Sequence, residues 1–189
     1  VTLAFLPNAL TLLRLVLVLP SVLALLAGHF DVTLLLFAVA AITDALDGWL
    51  AKTFGWTSRL GKILDPIADK VLLGGVVLAL GWLGLVPLWL VLTMVARDLV
   101  IVGGAIAYRL FIGYLEGRPT PVSKLNTLVQ LLFVLSVIAA SAHVAVPAVL
   151  PTLLGAGTFV TTVVSGLDYV LRYAREALGL ARRPPDGIA

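Results

Sequence analysis

Runs of apolar residues close to 20 long, each closed by glycine, proline or charge, recur along this chain, and about 20 is the length a helix needs to cross a bilayer. The first runs from Ala9 to Ala27 and stops at Gly28-His29. The second covers Val32–Ala51 and the third Lys62–Leu83. Gly81, Gly84 and Pro87 then mark a tight turn before a fourth run, Leu88–Ile112. Residues 113–122, GYLEGRPTPV, form a polar Gly/Pro loop. From Leu125 to Leu167 there is no Asp, Glu, Lys or Arg. Those 43 residues are too many for one crossing, and Pro147 and Pro151 divide them into spans near 123–145 and 150–173. The pattern predicts an all-α integral membrane protein with six transmembrane helices, residues 1–189 forming a single membrane domain.

Composition agrees. Hydrophobic residues make up 61% of the 189 and charged residues 12%, and the mean hydropathy is +1.12. A soluble domain carries about 25% charged residues, so an aqueous globule is excluded, as is a disordered chain. The first apolar run lacks a basic flank and a small-residue cleavage site, so it reads as a retained membrane helix rather than a signal peptide. There is no cysteine, which removes disulfides, thiolate nucleophiles and Cys-ligated metals.

The net charge of +3 is distributed by loop. Lys52, Arg59 and Lys62 lie between spans two and three, and Arg109, Arg118 and Lys124 between spans four and five. Arg172, Arg175, Arg182 and Arg183 follow span six, while the other connections hold no Lys or Arg. The positive-inside rule then puts both termini and the two basic loops in the cytoplasm. The basic face suits anionic lipid headgroups; nothing here calls for nucleic acid.

Acidic residues inside the spans carry the chemistry. Asp44 and Asp47 stand at i, i+3 near the cytoplasmic end of span two, and Asp65 and Asp69 at i, i+4 near the cytoplasmic start of span three. Each spacing puts a pair on one helical face. Because the two spans are consecutive and antiparallel, the pairs fall at similar depth. A charge inside a span costs about 2.5–3.5 kcal/mol on insertion scales, so four carboxylates need compensation. Three sources fit: the nearby Lys52, Arg59, Lys62 and Lys70, a cation route through the membrane, or two hard divalent cations clamping an in-line phosphoryl displacement. Gly48 beside Asp47 and Gly61 one turn before Asp65 open the backbone to a ligand. All four acids lie on one side of the membrane, which counts against a route across it.

Residues 44–69 read DALDGWLAKTFGWTSRLGKILDPIAD. They closely resemble the signature of the CDP-alcohol phosphatidyltransferase family, DxxDGxxAR, then eight residues, then GxxxDxxxD. Asp44, Asp47, Gly48, Ala51, Gly61, Asp65 and Asp69 match in type and spacing, and Lys52 stands where the family usually has Arg. The charge survives that exchange, but the bidentate fork does not. PNALTLLR at 7–14 resembles the start of the family's first span. ARDLVIVGG at 96–104 and SKLNTLVQ at 123–130 look like the cardiolipin synthase branch, which uses CDP-diacylglycerol. Glycerophosphate-using relatives more often have Glu after the span-four arginine, where this chain has Asp98.

The resemblance implies six spans and a homodimer. It implies that Asp44, Asp47, Asp65 and Asp69 hold two divalent metal ions, Mg²⁺ or Mn²⁺, against the CDP pyrophosphate. Gly48, Ala51, Lys52 and Gly61 would line the CDP site, and Asp69 would also act as general base on the acceptor hydroxyl. The remaining residues agree with direct displacement. There is no Cys nucleophile and no HxK motif, and His29 and His143 fall at the non-cytoplasmic ends of their spans. The expected acceptor is phosphatidylglycerol, giving cardiolipin and CMP, with glycerol 3-phosphate as the alternative and a divalent-cation transporter as a remote one. Arg97, Arg118 and Lys124 are the cations available to an acceptor phosphate, Arg97 being equally able to pair with Asp98. Asp168 is expected to pair with Arg172. An excess of Arg over Lys in an Ala/Leu/Gly-rich chain points to a GC-rich bacterium and its cytoplasmic membrane.

Overall fold

The computed structural model describes residues 6–54, 61–111 and 120–181, all in six helices and their connections. These are α1 (Leu6–Leu26), α2 (Phe30–Phe54), α3 (Gly61–Trp82), α4 (Leu88–Phe111), α5 (Pro121–Ser141) and α6 (Val149–Ala181). Helices satisfy every backbone donor and acceptor within one segment, as a water-free environment requires. Among the described residues, four helices are long and apolar enough to cross a membrane, through the windows Ala9–Leu26, Leu88–Ala107, Pro121–Ser141 and Val149–Arg175. Helices α2 and α3 carry the aspartates.

The ends of the helices follow local chemistry. α5 starts two residues before the hydropathy boundary because Thr120 accepts the Ser123 N–H at 3.2 Å as an N-cap, and Pro121 follows at the first helical position. α5 stops at Ser141, short of the expected 145, because His143 adopts φ 58° and turns the chain. α6 continues past 173 to Ala181 through Ala174–Ala181, a stretch of mostly good helix formers.

Packing divides the chain into two units, Val1–Leu88 with Leu131–Thr152, and Trp89–Gln130 with Leu153–Ala189. In the first, α1 packs against both α2 and α3. The contact with α3 is close at Gly75, where a Cβ would stand 3.3 Å from Val22 Cγ2. Leu25, Phe37, Ala40, Val76 and Leu80 form its buried core, while Leu12, Val16, Leu19 and Leu23 of α1 stay exposed on the side a lipid would cover.

Three turns of this unit share one device. His29 N–H bonds Ala24 O at 2.9 Å, Leu85 N–H bonds Leu80 O at 3.0 Å, and Val144 N–H bonds Ala139 O at 3.0 Å. Each is the long bond of a Schellman cap, with Gly28 (φ 78°), Gly84 (φ 71°) and His143 (φ 58°) in the left-handed position. Gly28, Phe30, Asp31, Leu85, Ser141, Ala142 and His143 line one open cavity of about 610 Å³, so the three turns meet at one end of the unit. Both histidines belong to these turns: His29 follows the first apolar run as the sequence led us to expect, whereas His143 stands in a turn where the sequence placed it near the end of span five.

The second unit is held by polar contacts between helices. Gln130 on α5 donates to Thr162 Oγ1 on α6 at 3.2 Å, and Thr162 donates to Asn126 Oδ1 at 2.9 Å. Tyr173 O–H reaches the Ile101 carbonyl at 3.3 Å, and its ring lies so close to Gly104 that a Cβ there would come within 2.6 Å of a ring carbon. Small residues let helices approach in this way in apolar surroundings.

Candidate active site

The turns give a common origin for depth. Arg14 stands fourteen residues before Gly28, Asp44 fourteen after Phe30, and Asp69 fifteen before Gly84. At the helical rise this is about 20 Å from the turn in each case. Three antiparallel helices thus deliver three charged groups to one level, toward the end opposite the three turns.

They meet there. Arg14 Nη2 lies 2.9 Å from Asp44 Oδ1, and Nη1 lies 2.5 Å from Asp69 Oδ1. The arginine is 1% exposed, whereas the aspartate side chains are 48% and 41% exposed. One carboxylate from each signature pair therefore sits at the edge of accessible space, over a buried guanidinium. Sequence reasoning placed the two carboxylates together but left Arg14 unassigned. Its signal was present: it is the only charged residue in the run Ala9–Ala27, and an arginine inside an apolar span requires a partner.

Asp47, Gly48, Ala51 and Lys52 lie on α2, and Gly61 and Asp65 on α3, but their side chains are outside the described residues. Arg118 also falls outside them. Among the described residues no group of three or more His, Cys, Asp or Glu gathers, two members of the expected tetrad not being among them. The donor chemistry of the described pair does fit the expected ions. Asp44 and Asp69 present hard carboxylate oxygens from two helices to a single cation, and hard divalent cations take such ligands.

The expected acceptor residues lie in the other unit. Arg97 is 7% exposed and its guanidinium is turned to its neighbours. Nη1 donates to Asp98 Oδ1 at 2.7 Å, Nη2 to Ser123 Oγ at 2.6 Å and to Ser165 Oγ at 2.7 Å, and Nε to Ser165 Oγ at 3.2 Å. The sequence alternatives for Arg97 were a phosphate contact and a pair with Asp98; the pair is present, and two serines join it. Lys124, on the first turn of α5 next to Ser123, is exposed. Asn126 is fully buried, its Oδ1 receiving the hydroxyl of Thr162. Asp168 and Arg172 line one cavity of about 420 Å³ together with Leu171 and Arg175.

Several of the residues that suggested a branch therefore make contacts between helices. Arg97 of ARDL bonds Ser123 of SKLNTLVQ, and Asn126 and Gln130 of the same stretch bond α6.

Comparison with known proteins agrees with the signature. The CDP-alcohol phosphatidyltransferase family profile matches residues 4–165. A probable phosphatidylglycerophosphate synthase of Mycobacterium tuberculosis is 38% identical over 190 aligned residues, covering 94% of this chain and 85% of that protein. A probable CMP-forming cardiolipin synthase of Drosophila melanogaster is 36% identical, covering 66% of this chain and 44% of that protein. The human CMP-forming cardiolipin synthase is 30% identical over 91% of this chain and 62% of its own length. With Asp44 and Asp69 of its signature converging from α2 and α3 and its sequence matched by the profile over most of its length, this chain belongs to the CDP-alcohol phosphatidyltransferase family.

Proposed function

We propose that this chain transfers the phosphatidyl group of CDP-diacylglycerol to phosphatidylglycerol, forming cardiolipin and releasing CMP. The observation that carries the reading is the convergence of Asp44 and Asp69 on one level of two adjacent helices, half-exposed above a buried cation. Two divalent ions, Mg²⁺ or Mn²⁺, held by Asp44, Asp47, Asp65 and Asp69, would neutralise the pyrophosphate and stabilise charge on the departing CMP. Gly48, Ala51 and Gly61 would line the cytidine diphosphate site beside those carboxylates, and Lys52 would meet its phosphates as a point charge. Asp69 takes the proton of the acceptor hydroxyl, whose oxygen then bonds the phosphorus as the bond to the CMP oxygen breaks. An alcohol with its ordinary, very high pKa needs such a base within about 3 Å.

Six spans with both termini cytoplasmic belong to this reading. They rest on the alternation of basic loops and put the carboxylates at the cytoplasmic surface of a bacterial inner membrane. Dimerisation follows the family resemblance.

Phosphatidylglycerol is preferred as acceptor because Asp98 and the SKLNTLVQ stretch match the cardiolipin synthase branch, and cardiolipin synthases are among the relatives. Glycerol 3-phosphate is the second reading, favoured by the 38% identity to a probable phosphatidylglycerophosphate synthase. Purified protein with CDP-diacylglycerol and Mg²⁺ is given each alcohol in turn and the lipid products are identified by mass. Cardiolipin from phosphatidylglycerol is the expected product; phosphatidylglycerophosphate with no cardiolipin transfers the assignment to the second reading and leaves the displacement chemistry in place.

A further inference from the structure

Arg14 has no counterpart in the chemistry set out above. It is the one charged residue in an otherwise apolar run, it is 1% exposed, and it reaches carboxylates on two different helices through separate nitrogens. A surface ion pair would be screened and weak. This one is buried on the arginine side and accessible on the carboxylate side, so the guanidinium acts on the cluster from beneath while ligand approaches from above. A guanidinium stays charged under all ordinary conditions. The carboxylates of α2 and α3 thus share a permanent positive charge supplied by α1.

We propose that Arg14 is a positioning residue, the resident counter-charge of the carboxylate cluster, which holds α2 and α3 together between metal-binding events and keeps metal affinity low. The proposal rests on the metal-dependent reading above. A cation that bonds Asp44 and Asp69 competes for those same oxygens with any divalent ion they bind. It also offsets the mutual repulsion of carboxylates that would otherwise part the two helices. Removing the charge therefore has two coupled effects of opposite sign. The protein loses stability when metal is withheld, and it binds metal more tightly when metal is supplied.

The test compares wild type, Arg14→Gln and Arg14→Lys in detergent, each purified with Mn²⁺ and then divided between EDTA and Mn²⁺. Thermal unfolding and Mn²⁺ binding, followed by its paramagnetic signal, are the readouts. In Arg14→Gln the melting temperature is expected to fall in EDTA and to recover with Mn²⁺, with a larger metal-induced rise than in wild type. Its Mn²⁺ affinity is expected to rise about tenfold or more. Arg14→Lys keeps the charge and is expected to bind Mn²⁺ within about threefold of wild type. An Arg14→Gln protein equally unstable with and without Mn²⁺, or one with weaker Mn²⁺ binding, overturns the proposal, as does Arg14→Lys binding as tightly as the Gln variant. A wild type indifferent to Mn²⁺ in both readouts would instead remove the metal reading itself, so the two failures are separable. If Arg14→Gln does not accumulate even with Mn²⁺ while Arg14→Lys does, the charge is needed irrespective of metal and the proposal is likewise overturned.

Discussion

Arg97 on α4 directs two nitrogens, Nε and Nη2, at one hydroxyl, Ser165 Oγ on α6, at 3.2 and 2.7 Å. Nη2 also reaches Ser123 at the start of α5, so one guanidinium joins three helices. Ser165 is fully buried. Removing it strips two charge-assisted contacts from a buried cation. Such bonds contribute about 1.5–3 kcal/mol in soluble proteins and interhelical bonds in membranes average about 0.6, so Ser165→Ala is expected to cost about 1–2 kcal/mol. Because the neighbouring groups are packing residues, the expected readout is a lower melting temperature with the Michaelis constant for CDP-diacylglycerol unchanged. A changed Michaelis constant at unaltered stability would move Arg97 from scaffold to binding site.

His143 occupies the position that Gly28 and Gly84 occupy in the two equivalent turns, with φ 58°. A residue with a Cβ pays roughly 1–2 kcal/mol in the left-handed region, partly offset by glycine's greater unfolded-state entropy of about 0.5–1 kcal/mol. His143→Gly is therefore expected to raise stability by about 0.5 kcal/mol, or roughly 1–2 °C. The turn is at the end of the unit opposite the Arg14 cluster, so turnover should stay at the wild-type rate. A fall in stability would mean that the exposed imidazole makes a contact outweighing the backbone strain.

The legible parts of this molecule are those that depend on short-range pattern. Six helices follow from apolar runs and their Gly and Pro boundaries, and the pairing of Asp44 with Asp69 at one depth follows from antiparallel neighbours joined by a short loop. Boundaries shifted where a side chain intervened: the Thr120 cap advanced α5, and the left-handed turn at His143 shortened it. Long-range partners were harder to read. Arg14 lies 55 positions from Asp69, and nothing in local periodicity couples them. Likewise Arg97 and Ser165 are 68 positions apart, and a serine in an apolar helix looks the same whether it packs against Leu or holds a guanidinium.

The proposed cluster makes a sharp demand on its ligands. Asp44→Asn, Asp47→Asn or Asp65→Asn each keeps the shape of the side chain and removes its charge. Loss of one oxygen donor to a transition state that develops charge is expected to slow CMP release by two to three orders of magnitude, by analogy with the loss of roughly 10²–10³ on removing a single electrostatic donor. Membrane insertion should survive, because a neutral amide costs less in a span than a carboxylate. EDTA should abolish CMP release in the wild type and Mn²⁺ or Mg²⁺ restore it. Turnover that persists in EDTA would remove the two-metal account.

Acceptor binding separates Lys124 from Arg97. Arg97 spends its donors on Asp98, Ser123 and Ser165 and is almost wholly buried, so an incoming phosphate would have to break bonds already made. Lys124 is the next residue along from Ser123, on the first turn of α5, and is exposed. A long, strongly hydrated ammonium there can meet an anionic headgroup without dismantling the helix contacts. Phosphatidylglycerol and glycerol 3-phosphate are both anionic, so either acceptor would feel its loss. Lys124→Ala is expected to raise the Michaelis constant for the acceptor roughly three- to tenfold and leave that for CDP-diacylglycerol unchanged, the signature of lost binding rather than lost chemistry. Because the contact is exposed, the difference between variant and wild type should shrink as salt rises from 0.05 to roughly 0.5 M, where the Debye length falls below about 5 Å. Equal Michaelis constants in the two proteins at low salt would make Lys124 a topology residue and shift the acceptor's counter-charge to another basic side chain.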